Sequence, residues 1–369
     1  MSAIDTIAAS IEHHQRGHHP PHRLPALRDA HPKHHGCVRA QFIVEGDSSP
    51  ALAPLRHGVF ARPGHVYRCW VRFSNALKER HDLAPDARGM AVKLMDVEAS
   101  ASGTQDFLMV SHDVFFARDA GEFVDFPATV SSLTFRMRTW LRITGFFIDP
   151  GHRRLRLRGL VALFRSLKPT WSPLAMEYFS QVPYRLGPAR LMKYSVRPHE
   201  ARPLGRRIGI RIKALTYYVV SNFGGMATSH NMLREALIGR LRQGDAAFDF
   251  CVQVRDAPVD AAERARIEDD AVTRWDERDF PPVKVAEIRV LRLDDDFDEA
   301  AMMALGQHLS FTPWHNVLDH EPVGSINAAR RVAYERISRL RHELNRKQRR
   351  EPKGHETAAG YLASIDMAG

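Results

Sequence analysis

Between His65 and Ser74 apolar and polar residues alternate: Tyr67, Cys69, Val71 and Phe73 fall on one side, and Arg68, Trp70, Arg72 and Ser74 on the other. A repeat of two is the signature of a β-strand, so Arg72 and Ser74 are expected to point the same way. Comparable runs recur at Gly89 to Val97, Asp106 to Phe116, Phe248 to Arg255 and Val285 to Leu291, separated by Gly, Pro or Asp. The middle of the chain is therefore expected to form an antiparallel sheet, closed on itself. Phe135 to Lys168 breaks the pattern: Trp140, Leu141, Ile143, Phe146, Phe147 and Ile148 precede Arg153, Arg154, Arg156 and Arg158, then Leu160 to Leu167. This segment, 135–168, is expected to be a basic helical insertion packed against the sheet, with peripheral membrane contact as the alternative. Towards the end Ile326, Ala333, Ile337, Leu340 and Leu344 recur at helical spacing behind Gly324 and Ser325, with Ser325 as the expected N-cap.

The two ends read differently. His13, His14, His18, His19 and His22 lie among Arg16, Pro20, Pro21 and Pro25, a mixture that presents no helix face, so 1–25 is expected to be a flexible arm. The stretch 346–369, rich in Lys, Arg and Gln, is expected to be a flexible tail. What lies between, 26–345, has the length for one large domain. Hydrophobic residues make up 44% and charged residues 26% of the 369, ordinary globular values. No run of about 18 apolar residues offers a membrane span, and the N-terminus lacks the apolar core of a secretory signal. Three cysteines without CxxC spacing point to neither a disulfide framework nor a zinc site, and a cytoplasmic location is expected. The 53 Lys and Arg against 43 Asp and Glu leave a net charge of +10, which suits an anionic partner. Nucleic acid is not expected, because basic residues are nowhere interleaved with aromatics in one run.

Candidate chemistry sits at two places. Arg330 and Tyr334 are one turn apart on the expected last helix. A free phenol has a pKa of about 10, and an adjacent guanidinium favours the phenolate, one of the few axial ligands that proteins offer haem iron. Near the other end, Arg28 stands three residues before His31 and Gly36 five after it.

Together these motifs resemble the haem catalases. The run Arg28-x-x-His31-x-Lys33-x-x-Gly36 resembles their distal histidine segment, and Val71-Arg72-Phe73-Ser74 their second distal strand. Asp86 to Lys93 and Val114 to Asp119 are similar to the segments that follow. Asp270, Trp275 and Phe280-Pro281 resemble the later barrel, and Phe311-Thr312-Pro313 leads into the proximal helix. The likeness runs from about Arg28 to about Asn345, broken by 135–168, and several motifs in order are more specific than any one. The ending, Phe311 to His315 then His320 to Asn327, is closer to the small catalase-related branch that includes compact peroxidases and allene oxide synthases.

The resemblance implies an α+β fold: a catalase-like antiparallel β-barrel of about eight strands with flanking helices and a C-terminal helix carrying the proximal ligand. It implies haem b as cofactor, Tyr334 as axial ligand of the haem iron, and Arg330 steadying the phenolate. Arg28 and Arg72 would bind the propionates, and Phe123 would lie against a haem face. His31 would be the acid/base that helps split the O–O bond, leaving a ferryl species, with Ser74 fixing its tautomer. Ser111 falls where catalases carry a distal Asn; its hydroxyl offers one donor instead of two, which weakens peroxide polarisation. The implied activity is that of a peroxidase or catalase-like oxidoreductase acting on hydrogen peroxide or lipid hydroperoxides. The alternatives are a fatty-acid hydroperoxide isomerase of the allene oxide synthase type and a non-catalytic haem-binding sensor or carrier. A homo-oligomer is left open.

Overall fold

The computed structural model describes residues 25–366 except 29, 48, 77–78, 85, 124–160, 163–164, 166, 200–204, 206–207, 214–215, 217–228 and 355. The expected arm 1–25, apart from Pro25, and most of the expected insertion 135–168 lie outside the described residues. Nine strands are described: β1 (His34–Val44), β2 (Val66–Asn75), β3 (Arg88–Leu94), β4 (Gln105–Val110), β5 (Tyr178–Phe179), β6 (Tyr184–Leu186), β7 (Arg190–Pro198), β8 (Ala246–Asp256) and β9 (Val283–Val290). The described helices are α1 (Ala120–Phe123), α2 (Met232–Leu241), α3 (Ala261–Glu268), α4 (Glu299–His308), α5 (Gly324–Leu344) and α6 (Ala358–Ser364).

Every strand pairing is antiparallel, and the sheet closes on itself. From β1 the ring runs through β2, β3, β4 and β5, passes to β7 by Tyr178↔Val196 and Phe179↔Ser195, and returns through β8 and β9 to β1. Eight strands thus form a closed barrel, as expected, and β6 hangs on β7 outside the ring. Closure removes the free edges that an open sheet would present. The inside is filled by alternate residues: Phe42 from β1, Tyr67, Val71 and Phe73 from β2, Phe107 from β4, Tyr194 from β7 and Phe250 from β8. Phe107 and Phe250 lie 4.8 Å apart and Phe42 and Phe250 5.1 Å apart, centroid to centroid. Each such ring, fully buried, contributes roughly 1.5–3 kcal/mol.

The alternation in β2 holds, but its polar side does not face water. Trp70, Arg72 and Ser74 are all buried, because helices cover the outside of the barrel there. Trp70 and Cys37 pack with Leu305 of α4, with Leu309 just after it, and with Tyr361 of α6 and Ile365. Four strands carry no expectation from the sequence: the short β5 and β6, and the longer β1 and β7. In β1 the opening His34-His35-Gly36 obscures the repeat, and in β7 Lys193 and Ser195 are buried like their apolar neighbours. The expected strand from Asp106 to Phe116 ends at Val110, where Ser111 makes one last ladder bond to Arg88 O and the chain turns.

Two expectations at the C-terminal end are corrected. Ser325 is not the N-cap of α5; the helix begins after Val323, and the Ser325 N–H donates to the Asp269 carboxylate from the end of α3. Nor is the whole of 346–369 a loose tail. Lys347 bridges to Asp366, Tyr361 and Ile365 are buried one helical turn apart, and Glu351 lies 2.7 Å from the Lys93 ammonium. That ammonium also meets Asp106 at 2.7 Å, both side chains fully buried. Burial works against the Lys93 charge, but Asp106 and Glu351 outweigh it and raise its pKa. A composition that reads as solvated thus supplies one carboxylate and two apolar anchors to a buried site.

Candidate active site

Outside the barrel, a cavity of about 870 Å³, its mouth included, lies between the outer face of β2, β3 and β4 and one side of α5. Strand register builds its floor in two rows. Arg72 pairs with Ala91 and Ala91 with Leu108, while Ser74 pairs with Gly89 and Gly89 with Val110. The small residues of β3 make the depression. From α5 come Arg330, Tyr334, Ile337, Ser338 and Arg341, and from the segment before β1 come Arg28 and His31.

His31 is held from three sides. Its backbone has φ 58°, a left-handed conformation that few side chains adopt without support. Its N–H donates to Ala76 O at 2.9 Å, and its carbonyl accepts from Arg72 Nη2 at 2.9 Å. Its ring Nδ1 lies 3.0 Å from Ser74 Oγ. Gly89 makes room for the ring: a Cβ there would stand 2.5 Å from His31 Cε1 and 2.6 Å from Nδ1. Burial, then the charges of Arg72, Arg28 and Arg330, push the imidazole pKa down to about 3. The ring is neutral at physiological pH, and the Ser74 contact leaves Nε2 free to act as a base.

Three further arginines converge on the cavity. Arg72 donates from Nε to Gly306 O at 2.9 Å, Arg28 donates to Gly306 O and Leu309 O, and Arg341 donates to Gln307 O. All these acceptors are carbonyls at the end of α4; among the described residues none of the three is ion-paired to a carboxylate. Arg28 Nε and Arg341 Nη2 are buried with no hydrogen-bond partner. The cost shows in their acidity. Burial lowers Arg28 to about 10, while burial and then the neighbouring Arg28 charge push Arg72 and Arg341 well below the usual range. Buried cations without counter-charge are unstable unless an anion joins them.

Tyr334 presents its ring to the same cavity from α5, with the Arg330 guanidinium over the ring, 5.5 Å from its centroid. Burial works against the Arg330 cation, and the Tyr184 and Tyr334 oxygens outweigh it, so the guanidinium stays charged. Arg28, His31, Arg72, Ser74, Arg330 and Tyr334, singled out in the sequence, are thus brought to one cavity.

Residues 11–136 match the family model described as Catalase. Among solved structures, the chain is similar to a fungal catalase (TM-score 0.62, 18% identity, covering 86% of this chain and 61% of that one). A bacterial catalase matches with TM-score 0.61 and 18% identity over 86% of this chain and 59% of the other. Catalase A from Saccharomyces cerevisiae matches with TM-score 0.62 and 18% identity over 86% and 63%. The chain has the fold of these catalases. It spans about six-tenths of the length of these catalases, and no curated protein sequence matches it.

Against the catalase expectations, two residues stand elsewhere. Ser111 does not line the cavity: it is fully buried, and its Oγ accepts the Arg88 N–H at 3.1 Å. Phe123 does not reach the cavity either; it ends α1 against Phe115 and Phe116, at 5.5 and 5.7 Å between centroids. The catalase-like motifs also left Arg341 unremarked; it stands seven residues after Tyr334, about two turns along the same helix face. Gln181, a second cavity residue with positive φ (65°), gave no signal in the sequence; its amide donates to Val114 O at 2.7 Å.

Proposed function

We propose that this chain is a haem-dependent peroxidase or catalase-like oxidoreductase that acts on hydrogen peroxide or organic hydroperoxides. The observation that carries the reading is the set of three arginines, Arg72 and Arg341 buried and Arg28 partly so, that face the cavity with His31 and Tyr334 and pair with no carboxylate among the described residues. Haem b fits this donor set. Its two carboxylates would supply the counter-charge that Arg28, Arg72 and Arg341 lack, and bidentate guanidinium contacts suit them. Tyr334, beside the Arg330 cation, would be the oxygen donor for the iron. The bound haem would supply the redox chemistry of peroxide cleavage.

The chain's own part is acid–base and positional. His31, uncharged and hydrogen-bonded through Nδ1 to Ser74 Oγ, takes the proton of the peroxide at Nε2 and returns it to the departing oxygen. Gly89 fixes how closely the ring can lie to the floor. With Ser111 turned to the Arg88 backbone, the side chain that matches the distal amide does not help polarise the peroxide, so donor-assisted reduction is favoured over rapid dismutation. Haem-loaded protein is expected to consume peroxide with an added reductant, and His31→Ala to keep its haem while losing about 100-fold or more of that rate. An unchanged rate in His31→Ala removes His31 from the chemistry.

A further inference from the structure

The contacts behind Arg330 are unusual in being entirely uncharged. On one side its Nη1 donates to Asn327 Oδ1 at 3.1 Å, and on the other it meets the Tyr184 hydroxyl at 3.4 Å. Among the described residues no carboxylate is ion-paired to it. Both partners are themselves fixed. Asn327 is fully buried, and its amide Nδ2 donates to Val323 O at 2.9 Å and to Pro183 O at 3.1 Å, which leaves Oδ1 nowhere to turn but towards Arg330. Pro183 immediately precedes Tyr184, so one short stretch of chain is docked on α5 by both contacts.

The Tyr184 ring is packed against a second phenol. Tyr194 lies ring to ring with it at 4.9 Å. Tyr194 Oη accepts the Leu108 N–H at 3.2 Å and gives its own proton to Leu108 O at 3.3 Å. A phenol has one proton to donate. The Tyr194 proton is thus committed to Leu108 O, and the Tyr184 oxygen stands open to Arg330 Nη1 at 3.4 Å as an acceptor.

We propose that Tyr184 is a positioning residue for the proximal side of this site, holding the Arg330 guanidinium against Tyr334 together with Asn327. A carboxylate in either place would pair with Arg330 and cancel part of its charge; a phenol and an amide aim the guanidinium and leave the full cation to act on the Tyr334 oxygen. The inference rests on the reading of Tyr334 as a haem ligand. It goes further by assigning a residue of β6, remote in sequence from α5, to the control of that ligand.

The test uses haem-loaded full-length protein and two readouts besides activity, the Soret position and the ferric/ferrous midpoint potential. Tyr184→Phe keeps the ring in the barrel and removes only the oxygen. It is expected to shift the potential to more negative values, because a slack guanidinium withdraws less electron density from the Tyr334 oxygen. In an Arg330→Gln background the same substitution is expected to add nothing, since non-additivity is the mark of two residues acting through one contact. Asn327→Asp, which changes charge and not size, should shift the potential in the same direction as Tyr184→Phe. Equal shifts in both backgrounds, or none in either, overturn the assignment. If Tyr334→Phe itself leaves the spectrum unchanged, the haem reading fails and Tyr184 falls with it; if Tyr334→Phe moves the band while Tyr184→Phe moves nothing, only the Tyr184 assignment fails.

Discussion

At the scale of single residues, the account turns on how His31 is kept neutral and in place. Its ring has a hydrogen-bonding partner in Ser74 and a contact surface in Gly89, both on strands whose register is fixed by the barrel. Gly89→Ala puts a methyl group within 2.5 Å of the imidazole. We expect the ring to be displaced and peroxide reduction to fall by about 100-fold, the scale of a misplacement of an ångström, with the haem spectrum and the melting temperature little changed. A variant as fast as the parent would show that the ring's closeness to the floor is incidental. Ser74 and Arg72 were legible because a period of two places alternate residues on one face, and His31 because of its spacing from Arg28 and Gly36. Arg341 was not singled out, since one arginine among many on a basic helix carries no mark until its partners are seen. Phe123 and Ser111 mark the opposite case: position in a motif assigned them to the cavity, and packing directed one to other phenylalanines and the other to a backbone amide.

At the scale of elements, α5 carries Tyr334, Arg330 and Arg341 on one side, so its placement sets three contacts at once. Its start is fixed from outside, by Asp269 at the end of α3 accepting the Ser325 N–H. Loss of such a cap costs about 1 kcal/mol, and urea unfolding of Asp269→Ala should show a decrease of that order; no decrease would mean that the first turn of α5 is held by its packing alone. Hydrophobic spacing predicted this helix, but not its cap, because the capping carboxylate lies more than fifty residues upstream. The strands with one clear apolar face were likewise legible, whereas β7, whose polar residues are buried too, was not.

At the scale of the molecule, five buried or half-buried histidines are held neutral. Burial, the leading cause in each, lowers His31 and His35 to about 3 and His308, His320 and His342 to about 4. In the unfolded chain the same groups titrate near 6.5, so between that value and about 4 the unfolded state binds more protons. Their contribution to stability is complete above about pH 6.5 and is lost as the pH falls through the folded values. The melting temperature should therefore drop steadily from pH 7 to pH 5, and a flat profile would place these rings in water. The central claim is the haem itself, bound between the barrel's outer face and α5 with Tyr334 as its iron ligand. The absorption spectrum of protein produced with ample haem, beside that of Tyr334→Phe, tests it most directly. The account predicts a Soret band in the parent that is displaced or lost in the variant; a colourless parent, or an identical band in both, would contradict it.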